Sequence, residues 1–260
     1  MDPQTLTELH LKYIKDNYDA EKAKKQKQYL YSDLKHYGID TWTHGKFYKQ
    51  YKKEIAKWTK AQALNAVKDL WKNPVHEQRS LAISILNTHS DKLTPKDMPL
   101  IEKLMRESKG WAFLDSTIIP IMPVLLEKYP ELYEYLKKWI RDDDFWVRRS
   151  AMLAQVLFFR KGKGGNKELF FEFARSQFDE TWINEKYPTK GAAASPETKL
   201  LNKRAKFFIR KAIGWTLREM GNANPEAAYK FLKAHKDEMS GLSFRDGSKR
   251  LPEKWKKKLL

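Results

Sequence analysis

The sequence predicts an all-α fold, on three observations. Apolar residues recur at helical spacing, prolines and acids stand where helices begin, and no stretch sustains the alternation of a strand. Taken in order, Leu64, Val67 and Trp71 form a stripe that stops at Asn73-Pro74. Thr94, Pro95 and Asp97 read as a cap, a first-turn proline and a first-turn acid, and behind them Leu100, Ile101, Leu104 and Met105 share a face. Pro130 opens a helix carrying Tyr133, Leu136 and Ile140. Asn224-Pro225-Glu226 opens another with Ala227, Ala228, Phe231 and Leu232 inside. No Asn-Gly or Asp-Gly turn is flanked by alternating apolar runs.

At 260 residues the chain is long enough to bury a core. With 41% hydrophobic and 13% aromatic residues, global disorder is not expected despite 32% charged residues. The most apolar stretch, Ile118 to Leu126, is short and interrupted by Pro120 and Pro123, so no membrane span or membrane partner is expected. The amino terminus, MDPQTLTELH, lacks the basic-then-apolar pattern of a secretory signal. Zero cysteines exclude disulfides, thiolate zinc sites and cysteine nucleophiles. An intracellular location is expected, cytoplasm or nucleoid in a bacterium and nucleus in a eukaryote.

Lys and Arg total 51 against 33 Asp and Glu, a net charge of +18. Self-repulsion of that size opposes compactness and calls for a polyanionic partner, of which nucleic acid is the commonest. The tail from Arg245 to Leu260 carries net +5, and the remainder is spread over the body. A lysine-rich solubilising surface is the plainer alternative.

Three segments look alike: Asn73 to Ala82, Asp144 to Met152, and Phe207 to Gly214. Each has apolar residues entering a helix, then a basic residue, then small and apolar ones. Registering Arg79, Asp115 and Arg149 gives steps of about 35 residues, a helix-pair repeat length. The pattern resembles HEAT repeats, antiparallel helix pairs stacked into a solenoid whose second helices line a concave face. A helical arrangement without true repeats stays open. The expected organisation is one domain over 1–260, with a loop insertion at 179–200 and a basic tail at 245–260. A monomer is expected.

Negative findings narrow the chemistry. Six histidines are scattered, with no His-Glu-x-x-His pair, so no metal is expected. No phosphate-binding Gly-rich loop and no Gly-x-Ser-x-Gly elbow exists, and no cofactor is implied. Chemistry must then rest on carboxylates, aromatics and arginines. Trp111 and Asp115 are four apart and share a helix face; Trp215 and Arg218, three apart, do the same. Arg149 lies in the repeat following Asp115. Stacked helices would let these residues converge on the concave face. Each also admits a structural role, the tryptophans in the core and Asp115 as a cap or ion-pair partner.

The stretch Phe207 to Glu219, FFIRKAIGWTLRE, closely resembles a signature of the AlkD-type bacterial alkylpurine DNA glycosylases. So do Asp144 to Leu153, DFWVRRSAML, and Trp111-x-x-x-Asp115 after Ser108-Lys109, with weaker similarity back to Tyr29 and Gly38-Ile39. The resemblance implies a HEAT-like solenoid with a basic groove for duplex DNA. It also implies metal-free hydrolysis of the glycosidic bond of N3- or N7-alkylated purines, in DNA alkylation repair. Carried over, it makes Asp115 the catalytic aspartate and Trp111 and Trp215 the active-site indoles. Arg149 and Arg218 become backbone contacts, with Arg148 close enough to compete, and Tyr29 a further aromatic contact. Residues 179–200 depart from the family pattern as an insertion. The rival readings are a non-catalytic relative that binds damaged or branched DNA, and a HEAT-type protein scaffold.

Overall fold

The structure is a computed structural model in which residues 1–259 are described. Among them it has sixteen α-helices, three short 3-10 turns and no strand, so the all-α expectation holds. The chain divides into two compact units, Met1–Leu125 and Leu126–Leu260.

The first unit holds α1 (Pro3–Asp16), α2 (Ala20–Leu30), α3 (Thr41–Ala56), α4 (Lys60–Lys72), α5 (His76–Thr88), α6 (Met98–Glu107) and most of α7 (Trp111–Lys128). Asp2, Asp19 and Asp40 cap α1, α2 and α3, each accepting the backbone N–H three residues on. These carboxylates satisfy amide donors that a helix start otherwise leaves open, worth about 1 kcal/mol each. Helix α4 lies against α5, and α5 against α3, with Ile55, Val67, Leu81, Ile85 and Leu86 sealed between them. Full burial of such side chains contributes roughly 1.5–3 kcal/mol apiece. The α4 stripe is broader than Leu64, Val67 and Trp71. Ala63, Ala66, Val67, Leu70 and Trp71 are buried and Leu64 sits at the margin, because the small alanines let the neighbouring helix approach on their side.

Pro95–Asp97 forms a 3-10 turn ahead of α6, and the Asp97 carboxylate accepts from the Thr94 N–H at 2.7 Å and from Lys60 Nζ at 2.5 Å. Helix α7 runs through both Pro120 and Pro123. A proline at 120 cannot donate to the carbonyl of Ser116, and the Asn87 side-chain amide takes that place at 3.1 Å. The neighbouring helix thus supplies the missing donor. No described helix is long and apolar enough to cross a membrane.

The second unit is organised on α13 (Pro196–Ala223), 28 residues and about 42 Å long. Before it come α8 (Tyr133–Trp139), α9 (Phe145–Leu153), α10 (Val156–Lys161), α11 (Lys167–Arg175) and α12 (Thr181–Lys186); after it come α14 (Pro225–Ala234), α15 (Gly241–Ser248) and α16 (Glu253–Lys256). Helix α13 packs on α9, α10, α14 and α15. The α13–α15 approach depends on Gly214, where a Cβ would fall 2.8 Å from Asp246 Cβ and 3.0 Å from the Ser243 carbonyl oxygen.

Two expected segments differ in detail. Residues 179–200 are only partly loop: they contain α12, with Ile183 fully buried, and the first turn of α13. The apolar side of that short helix, not visible amid its polar neighbours, anchors it. Only 187–195 joins the two helices without helix of its own. Residues 245–259 are packed rather than trailing: the Trp255 ring lies tilted against Tyr229 with centroids 4.4 Å apart, and Leu251 is buried. Apolar side chains spaced among the lysines supply that anchorage. Leu260 lies outside the described residues.

Candidate functional site

In the first unit, α7 begins directly after Lys109, whose φ is +46°, and Gly110. That left-handed step ends α6 and turns the chain so that Trp111 occupies the first turn of α7. Tyr29, at the end of α2 and 69% exposed, stands edge-on to the Trp111 ring with centroids 5.8 Å apart and planes at 86°. Asp115 follows one turn later and is 9% exposed. The expected Trp111–Asp115 pair is therefore on one helix, with Tyr29 against its indole.

Beside them is a cavity of about 350 Å³, reaching Leu30, Tyr31, His76, Arg79, Lys109 and Phe113. Arg79 sits 4.8 Å above the Trp71 ring, and the Trp71 indole N–H donates to Glu107 at 2.8 Å. Burial pulls the Arg79 guanidinium below its usual value, against the charges of Glu107 and Asp33. Spacing gave Arg79 only a place in the repeat register.

The histidines are not scattered in space. His36 stacks on His76 at 4.4 Å, His76 stacks on Phe113 at 4.6 Å, and His10 meets His44 edge-on at 5.2 Å. Burial lowers His10 to about 3, with the charge of His44 adding to it, and lowers His36 to about 4 and His76 to about 3. All three are neutral near pH 7. Beside them Glu77 accepts the N–H groups of Tyr37 at 2.9 Å and Ile39 at 3.3 Å, and burial raises its carboxyl. No three His, Cys, Asp or Glu among the described residues form a metal-holding group. Contacts 34 to 40 residues apart in sequence make this cluster, so local spacing carried no signal of it.

In the second unit the four expected residues differ in setting. Trp215, half-buried on α13, donates Nε1–H to Glu219 Oε1 at 3.1 Å. Arg218, three residues on, donates to Asp246 Oδ1 at 2.5 Å. Arg149 is 3% exposed and donates to the Phe208 carbonyl at 2.9 Å, which ties α9 to α13. Arg148 lies 3.7 Å over the Trp182 ring of α12 and donates to the Asp142 carbonyl at 2.5 Å. Burial lowers its guanidinium, opposed by Asp143 and Asp142. All three arginines thus make contacts inside the unit; Arg149 is buried, and Arg148 and Arg218 are half-buried.

Glu219 and Asp246 are the residues that sequence reasoning passed over. Their side chains are 2% exposed, and each gathers cations from separate elements. Burial works to raise both carboxyls, yet hydrogen bonds and charges from the surrounding arginines and lysines hold both below the usual carboxylate range.

The family model described as "DNA alkylation repair enzyme" matches residues 10–251 of this chain. Among solved structures, the "Predicted DNA alkylation repair enzyme from Enterococcus faecalis" is similar in fold. Its TM-score is 0.68 at 20% identity, covering 91% of this chain and 98% of that one. No curated protein matches the chain.

Proposed function

The chain belongs to the DNA alkylation repair enzyme family, and from that premise we propose that it is a DNA glycosylase for cationic N3- and N7-alkylated purines. Its role lies in DNA alkylation repair, with DNA as partner. The observation that carries the finer reading is the grouping of Tyr29, Trp111 and Asp115 in the first unit, an acid one helical turn from an indole braced by a second ring.

An N3- or N7-alkylpurine carries positive charge, so its glycosidic bond is weakened and the base leaves neutral without a proton donor. As that bond breaks, the electron pair goes to the base and positive charge develops on the sugar. The Asp115 carboxylate stabilises that charge, and a water oxygen forms the new bond to the anomeric carbon, its proton passing to Asp115 or solvent. The Trp111 face attracts the same cationic centre, a contact worth roughly 0.5–2 kcal/mol. Trp215 takes the second indole role that the family resemblance gives it. Arg218 supplies a phosphate contact, which positions the duplex and reads no sequence. Arg149, tied to the Phe208 carbonyl, serves the packing of α9 on α13 as well.

The low exposure of Asp115 favours one second reading, a binder of damaged DNA that does not excise the base. Single-turnover assay on duplex DNA bearing N7-methylguanine separates the two. Free base released in proportion to enzyme supports the glycosylase; tight binding with no release supports the binder.

A further inference from the structure

Glu219 and Asp246 sit beneath a surplus of positive charge in the second unit. Glu219 Oε2 accepts from Arg160 Nε on α10 at 2.9 Å and from an Arg250 terminal nitrogen at 2.6 Å, while its Oε1 takes the Trp215 indole. Asp246 Oδ1 lies 2.5 Å from Arg218 and 3.1 Å from Lys249, and Oδ2 lies 3.1 Å from Lys211. Arg218 Nε is 3.8 Å from Glu219, which joins the two sets into one cluster.

Five cations therefore surround two carboxylates. One cation would neutralise each acid, and crowding further like charges is unfavourable unless an anion arrives from outside. The cations are placed to meet one: Arg160, Lys249 and Arg250 are exposed, with Lys211 and Arg218 half-buried. Arg160 and Arg250 each spend one nitrogen on Glu219, leaving the rest of a planar fork suited to oxyanions. The buried Arg218 Nε has no hydrogen-bond partner. The acids below fix the forks rather than cancel them.

We propose that Arg160, Arg250, Arg218, Lys211 and Lys249, arrayed on Glu219 and Asp246, form a phosphate-binding site for the DNA backbone. Arg160 and Arg250 are its outer clamp. The site rests on DNA as partner and not on base excision.

The test is the affinity of the full chain for an undamaged duplex, followed by fluorescence anisotropy at several salt concentrations. Each phosphate contact contributes about −0.9 to the slope of log affinity against log salt. The Arg160→Gln/Arg250→Gln variant should have a slope shallower by about 0.9–1.8 and weaker binding on every sequence. Arg160→Lys/Arg250→Lys should keep most of the slope. Lys230→Gln/Lys233→Gln, which removes two exposed charges from α14, should keep all of it. Should the double glutamine variant fail to fold, the single substitutions, each leaving Glu219 one guanidinium, carry the same test. An unchanged slope in the arginine variants, with wild type binding normally, overturns the site alone. An equal loss in the α14 variant also overturns it, since net charge would then explain the effect. No duplex binding by wild type at any salt overturns the DNA partner as well. Calorimetry with inorganic phosphate completes the set: tight arginine-dependent phosphate binding beside an unchanged duplex slope would make this a free-anion site and sink the backbone assignment.

Discussion

Tyr29 and Trp111 meet as an edge-to-face pair, 5.8 Å between centroids, although 82 residues separate them along the chain. Such pairs contribute about 0.5–1.5 kcal/mol beyond the area they cover. Tyr29 is mostly exposed, so the pair steadies the indole more than the fold. Tyr29→Ala should leave the melting temperature nearly unchanged and slow base release by about 2- to 10-fold. Tyr29→Phe, which keeps the ring, should retain nearly all activity. Equal loss in both would move the role from the ring to the hydroxyl.

The close approach of α13 to α15 makes a sharper test of the second unit. Gly214→Ala places a methyl 2.8 Å from Asp246 Cβ and 3.0 Å from a backbone oxygen, so one helix must shift. Overpacking of this kind costs about 1–3 kcal/mol. A urea unfolding curve should show the midpoint fall with unchanged slope. The same substitution should also weaken DNA binding, because Asp246 holds Arg218.

Acid should destabilise the first unit in a defined window. His10, His36 and His76 have folded values near 3, 4 and 3, below the unfolded 6.5, so the unfolded chain binds more protons between those limits. Stability is then full above about pH 6.5 and falls as pH drops toward 4, by about 1.4 kcal/mol per pH unit for each histidine within its window. Glu77, raised by burial, acts in the opposite sense: its contribution is present at low pH and is lost as pH rises through its folded value. Chemical denaturation at pH 7.5, 6.5, 5.5 and 4.5 checks the direction. A midpoint constant across that range would contradict burial of neutral histidines.

The junction before α13 separates loop from cap. Lys190, Gly191, Ala192 and Ala193 are exposed, whereas Ser195 Oγ accepts the Thr198 N–H at 3.1 Å. Replacing 190–193 with a Gly-Ser link should leave thermal stability unchanged, while Ser195→Ala should cost about 1 kcal/mol. Differential scanning calorimetry on both variants decides it.

What the sequence disclosed follows the range of its signals. Helix starts at Pro95, Pro130 and Pro225 were legible because a first-turn proline acts within one turn. Trp111, Asp115, Trp215 and Arg218 were legible because each pair falls within one turn of one helix. The burial of Arg149, the anchoring of α12 through Ile183 and the histidine stacks were not, since each depends on partners far along the chain. Glu219 stood in plain view within a recognised motif, but its meaning lies in Arg160 and Arg250, 59 and 31 residues away.

Single-turnover release of N7-methylguanine from duplex DNA, compared between wild type and Asp115→Asn, tests the central claim most directly. The substitution keeps the shape and removes the formal charge that would face the developing sugar cation. Release should slow by about 10²–10³-fold, the usual cost of losing one well-placed electrostatic group. Duplex affinity, measured on the same two proteins, should hold or rise, because a negative charge has been removed from a protein that binds phosphates. Thermal melting of both guards against a packing defect at this buried position. Release by the Asn variant at the wild-type rate would contradict a catalytic Asp115, and no release by a wild type that binds the duplex tightly would contradict the glycosylase itself.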